Sequence, residues 1–247
     1  MGHTRIWDLP VRLFHWLLAA AFLTAFLIAN LADDEGTLFP IHALAGLGAV
    51  FLIVLRIVWG LAGSRWARFS AFELRPSSLV RYLRGTVGGA PSTRSAGHNA
   101  ATSWFAVATI AVVLGLGVTG FMMGRGREAA KEVHEVFAWS MLALAGLHIA
   151  GVVWHSVRHR ENLAASMVTG YKNAEPDAAI ASSRPWSAVA FLLLIAAFAA
   201  TLVAGYEQST RRLTLPLLDG TLQLGETEDG GGSASGEGAE RRGDDDD

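Results

Sequence analysis

Cysteine is absent from all 247 residues. That excludes disulfides, thiolate metal sites, cysteine-ligated iron–sulfur clusters and thioether-linked prosthetic groups. Any redox chemistry must then come from a non-covalent cofactor or a partner. Charge is scarce too: Asp, Glu, Lys and Arg together make up 17% of the chain, against about 25% in soluble domains. The net charge is -2, and no basic patch is interleaved with aromatics, so nucleic acid is not an expected partner. Proline is sparse, and Pro10, Pro40, Pro76, Pro91, Pro176, Pro185 and Pro216 all fall outside the long apolar runs, as unbroken helices require.

Apolar sequence is what the chain has in quantity. Hydrophobic residues make up 51%, and the mean hydropathy is +0.34. Stretches near 13–31, 42–62, 103–123, 136–157 and 186–205 are each long enough for a hydrocarbon core, which takes about 20 helical residues. The first exceeds the roughly 7–15 residues of a signal-peptide core, and it carries His15, so it reads as a retained helix. The expected fold class is an all-α integral membrane protein with five spans in a lipid bilayer.

Charge asymmetry orients the spans. The 32–41 segment has three acids and no Lys or Arg, whereas 63–102 has six arginines against one acid, Glu73. Arg158, Arg160, Lys172 and Arg184 follow the fourth span. Twelve basic residues fall on one side and seven on the other, with Arg56 inside a span. The expectation is a multi-pass protein of a bacterial inner membrane, N-terminus cytoplasmic and C-terminus periplasmic. Trp7, Trp16, Trp59, Trp66, Trp104, Trp154 and Trp186 near span ends read as an interfacial aromatic belt. Residues 226–247 hold nine acids, two arginines and no aromatic or large aliphatic residue, and read as a disordered, solvated tail.

Four histidines interrupt this apolar pattern: His15, His42, His134 and His148. An ionisable side chain at depth costs at least ~2.5 kcal/mol unless something uses it. His134 and His148 are fourteen residues apart, a rotation of ~1400° and a rise of ~21 Å, so they share one helix face at two depths. His42 opens the second span at the outer side and His15 lies early in the first at the inner side. Depth alone pairs His42 with His134 outside and His15 with His148 inside. Facing helices of a bundle are where cofactors are held, and two bis-imidazole haem irons fit this pattern. Closing both axial positions favours electron transfer over ligand binding.

Other polar groups are read against that frame. Arg56 follows His42 by fourteen residues; it either pairs with a haem propionate or snorkels to the inner interface. His155, beside Arg158 and His159, is expected to face headgroups, a propionate or a quinone rather than an iron. His3, His98 and His159 lie outside the spans and read as solvated. Gly46, Gly48, Gly115, Gly117, Gly120, Gly146 and Gly151 permit close approach of a flat macrocycle or, more simply, of a neighbouring helix.

The segments IWDLPVRLFHW (6–16), IHALAGLGAVFLIVLRIVWG (41–60), VHEVFAWSMLALAGLHIAGVVWHS (133–156) and RENLAASMVTGYK (160–172) resemble the bacterial cytochrome b561 family. More narrowly, they resemble its branch with the b-type cytochrome subunit of nickel–iron hydrogenases. The resemblance covers about residues 5–172. It implies a four-helix transmembrane bundle holding two non-covalent b-type haems, with His15, His42, His134 and His148 as ligands. It implies electron exchange between the quinone pool and a partner such as a hydrogenase, a dehydrogenase or a c-type cytochrome. Some stand-alone members are similar to superoxide oxidases that reduce ubiquinone. GHNAATSW (97–104) lacks the Pro and Gly that commonly follow GHN in relatives, and the fifth helix at 186–205 and the 206–247 outer tail lie beyond the shared core.

A haem-free, proton-coupled transporter is the competing class. It would use the histidines as titrating groups with membrane carboxylates, yet the spans contain no Asp or Glu. A purely structural anchor would need no matched histidine pairs.

Overall fold

In the computed structural model, residues 2–33, 36–87, 96–215 and 220–225 are described. The acidic stretch from 226 onward lies outside them. Five helices are long and apolar enough to cross a membrane: α1 (Leu9–Leu31), α2 (Phe39–Ala62), α4 (Ala100–Gly124), α5 (Lys131–His159) and α7 (Pro185–Gly205). Two shorter helices, α3 (Pro76–Val87) and α6 (Leu163–Thr169), lie in the connections. The end of the bundle where α1 begins is called the near end below, and the opposite one the far end.

The helices begin earlier than their apolar runs, because caps rather than hydropathy set helix starts. Asp8 caps α1 by accepting the Val11 amide, with Pro10 in the first turn. Asn99 and Thr102 form a reciprocal capping box that opens α4. The GHNAATSW segment therefore starts a helix without the Pro and Gly of its relatives. Pro40 and Pro185 occupy the first turns of α2 and α7, where a missing N–H costs nothing.

Two small sheets hold the ends. At the near end β1 (Gly2–Arg5) pairs antiparallel with β2 (Tyr171–Ala174), Gly2 opposite Ala174 and Arg5 opposite Tyr171. Gly170, in the left-handed region at φ 87°, ends α6 just before this ribbon, and its carbonyl accepts the Ile6 and Trp7 amides. At the far end β3 (Tyr206–Glu207), β4 (Arg212–Thr214) and β5 (Thr221–Gln223) form an antiparallel meander. Leu213 and Leu222 from it are buried with Leu202, against Leu44, Leu47 and Phe121. The described residues of the C-terminal tail, 206–215 and 220–225, thus build this meander.

The near-end core gathers Ile6, Trp7, Phe14, Leu55, Trp59 and Phe191. Ala49, Ile53, Val113 and Met141 form the central layer. Trp7 and Trp59 therefore depart from the expected aromatic belt: they are core residues, 6% and 8% exposed. Trp16, Trp154 and Trp186 are exposed, as a belt requires.

Paired histidines between the helices

The four histidines lie on α1, α2 and α5, and their rings meet in two pairs. His42, on the first turn of α2, faces His134 of α5 with ring centroids 6.1 Å apart. His15 of α1 faces His148 of α5 at 6.3 Å. The first pair lies at the far end and the second toward the near end. Two metal–nitrogen bonds of about 2 Å, each extended to its ring centre, span about 6 Å. Both pairs therefore have the separation that one shared metal atom requires.

The helices leave room for more than a bare ion. α5 packs along α4 but makes no extended backbone contact with α1 or α2. The histidine pairs bridge that separation. At Gly46, one turn past His42, and at Gly151, three residues past His148, an added Cβ would meet nothing within 4 Å. Gly115 and Gly117 behave differently: a Cβ there would run into Phe137 and Val50. Those two serve tight helix packing, whereas Gly46 and Gly151 border open space on the histidine faces. A planar macrocycle suits this arrangement; a tetrahedral metal site does not, since no cluster of three or more metal-ligating residues occurs among the described residues.

The ring orientations are held locally. His42 Nδ1 donates to the Ala25 carbonyl at 2.8 Å. Such a bond fixes the tautomer and leaves Nε2 as the free lone pair. Phe39 stacks on the His42 ring at 5.4 Å. At the other pair, Phe105 of α4 stacks on His148 at 4.3 Å and an interplanar angle of 11°.

Arg56 and His155 lie away from the ring pairs. The Arg56 guanidinium stands 5.5 Å over the Phe69 ring at the near end, and its Nη1 is buried with no hydrogen-bond partner among the described residues. That leaves a donor for an acidic group. His155 packs on His159 instead, with ring centroids 4.2 Å apart. His3 stacks on Tyr171.

His98 corrects its reading as a solvated residue. Its ring lies 5.0 Å from Trp7 and 4.7 Å from Phe72. Burial, helped by the Arg56 and Lys172 charges, pushes its pKa down to about 4, so it is neutral at physiological pH. Burial also lowers the Lys172 ammonium, with Glu161 opposing the shift. Sequence reading placed His98 by its distance from the spans; the loop from α2 to α4 folds it back under Trp7.

Two supporting groups escaped the sequence reading. Asp8 is fully buried and accepts both the Val11 amide and the Trp59 indole. An Asp two residues before a Pro is a helix-start signal, but it carries no sign of the tie to α2. Thr119, on α4, touches His134, and nothing in the sequence around it marks it out.

The family model for prokaryotic cytochrome b561 matches residues 6–170, from the residue after β1 to the one before β2. Comparison with curated proteins and with solved structures gave no match.

Proposed function

The chain belongs to the prokaryotic cytochrome b561 family, membrane b-type cytochromes that transfer electrons, and we propose that it relays them between two haems stacked across the bundle. His42 and His134 hold the far-end iron; His15 and His148 hold the near-end iron. The observation that carries this reading is the pair of ring separations, 6.1 and 6.3 Å, between helices that make no extended backbone contact. Bound haem supplies a one-electron iron couple in the low-dielectric core. The four histidines would supply its imidazole nitrogens, and Ala25, Phe39 and Phe105 would fix their ring orientation.

Arg56 offers its free Nη1 to a propionate of the near-end haem, in keeping with its depth. The near end is cytoplasmic and the far end periplasmic, as the arginine-rich connections suggest. Electrons pass between the membrane quinone pool and a redox protein. The sequence likeness to the hydrogenase cytochrome branch favours a hydrogenase or dehydrogenase subunit, with a c-type cytochrome next. His155, at the near-end interface, marks the neighbourhood of the quinone. A stand-alone superoxide–quinone oxidoreductase is the second reading, because some stand-alone members of the family are similar to superoxide oxidases.

The visible spectrum of the purified protein tests the proposal. A Soret band, a dithionite-reduced b-type α-band and two haems per chain by pyridine haemochrome are expected. A protein that folds in a membrane and takes up no haem overturns it.

A further inference from the structure

The two histidine pairs differ in what their non-ligating nitrogens touch. At the far end, Thr119 Oγ1 lies 2.8 Å from the Gly115 carbonyl and 2.9 Å from His134 Nδ1. A hydroxyl has one hydrogen. The Gly115 carbonyl and, at 3.2 Å, the Leu116 carbonyl both face it, and a Thr hydroxyl within a helix commonly gives its hydrogen to such a carbonyl. In that arrangement the hydroxyl turns a lone pair toward His134, and His134 Nδ1 is the donor. Nδ1–H then fixes the tautomer with a bare Nε2 directed away from α4. His42 reaches the same state through the Ala25 carbonyl at 2.8 Å. At the near end His15 Nδ1 is buried with no hydrogen-bond partner among the described residues, and His148 rests against a Phe105 ring.

A ligand imidazole that donates its second N–H is a stronger electron donor to its metal. Stronger donation favours the more positive iron state and so lowers the reduction potential. Thr119 is well placed for such a role. It is 6% exposed, so water does not compete for the bond. The adjacent Gly120 lets α4 pass close to the imidazole: a Cβ there would lie 3.5 Å from His134 Cε1.

We propose that Thr119 is a positioning residue of the far-end site, which orients His134 through Nδ1 and lowers the reduction potential of the haem held there. This rests on the assignment of His134 as an axial ligand. The hydroxyl acts at one end only, so it separates the potentials of two sites whose ligand types are identical.

Potentiometric titration of the holoprotein in detergent, followed at the α-band and by low-temperature electron paramagnetic resonance, tests the proposal on Thr119→Val, Thr119→Ala and Thr119→Ser. Val and Ala remove the hydroxyl and leave the Leu116 carbonyl as the ring's other acceptor; Ser retains the hydroxyl. In Val and Ala the far-end midpoint should rise by about a tenfold change in the oxidised-to-reduced ratio, about 59 mV for a one-electron couple. The near-end midpoint should stay put, and Ser should behave as wild type. If Val loses the far-end haem, Ala gives the reading. Loss of that haem alone from both, with Ser retaining it, also supports the hydroxyl's role. An unchanged far-end midpoint, an equal shift at both haems, or a Ser variant that behaves like Ala overturns it. Absence of haem from the wild-type protein would instead sink the ligand assignment itself.

Discussion

The Trp59 indole donates a buried 3.0 Å hydrogen bond to Asp8 Oδ2. The other carboxylate oxygen accepts the Val11 amide at 2.9 Å. One side chain thereby caps α1 and clasps its start to the end of α2. Replacing Asp8 with Ala removes a helix cap, worth about 0.5–2 kcal/mol, and strands a buried indole N–H, at about 1–3 kcal/mol. A loss of about 2–4 kcal/mol is expected, read as a lower unfolding midpoint in detergent, with Asp8→Asn losing less because an amide still offers one acceptor. An Ala variant as stable as wild type would dissolve the clasp.

The histidine pairs predict selective loss of haem. His134→Ala should empty the far-end site and leave roughly half of the reduced α-band absorbance, and His148→Ala should do the same at the near end. The two residual spectra should differ from each other and sum to the wild-type spectrum. Loss of both haems from each single variant would mean that the sites are not independent.

His98 makes stability fall in acid. In the unfolded chain it takes up a proton below about 6.5, whereas in the fold it resists until about 4. Between those values the unfolded state binds more protons, so stability drops as pH falls through the window, by at most about 3 kcal/mol from this group. His98→Gln should flatten that part of the curve. Unfolding midpoints measured from pH 6.5 down to 4 on both proteins would decide it; parallel curves would remove His98 as the cause.

Glycine positions separate packing from cofactor space. Gly115→Ala drives a methyl into the Phe137 ring and should cost about 1–3 kcal/mol through overpacking between α4 and α5. Gly46→Ala meets nothing within 4 Å, and Ala favours a helix by about 1 kcal/mol over Gly. The haem-free protein should therefore tolerate it while far-end haem occupancy falls. Full occupancy in Gly46→Leu would show that this space belongs to lipid rather than to a macrocycle.

The spans and the four histidines were legible because each rests on a strong local signal. A run of about 20 apolar residues has few alternatives, and helical phase fixes which residues share a face. The rest depended on contacts distant in sequence. His98 looked solvated because it falls outside the spans, yet its environment comes from Trp7, Phe72 and Lys172. Trp7 and Trp59 sit at span ends like belt residues, but Asp8 and the β1–β2 ribbon draw that end into a core. The far-end meander did leave a trace, in the period-two alternation of Leu213-Thr214-Leu215 and Leu222-Gln223-Leu224. Strands of two or three residues are too short for such a trace to stand out from a tail.

The β1–β2 ribbon also sets an order of events. β1 precedes every other described element along the chain, and its partner strand begins at Tyr171. At about 5–20 residues per second, that partner is made about 10–30 s later. Until then α1 stands in the membrane with its leading strand unpaired, and His15 has no His148 to face. Closure of the ribbon and completion of the near-end pair both await insertion of α5. Under the proposed ligand assignment, cofactor loading at that end is a late step of biogenesis, since a chain stalled before residue 148 lacks one of the two ligands.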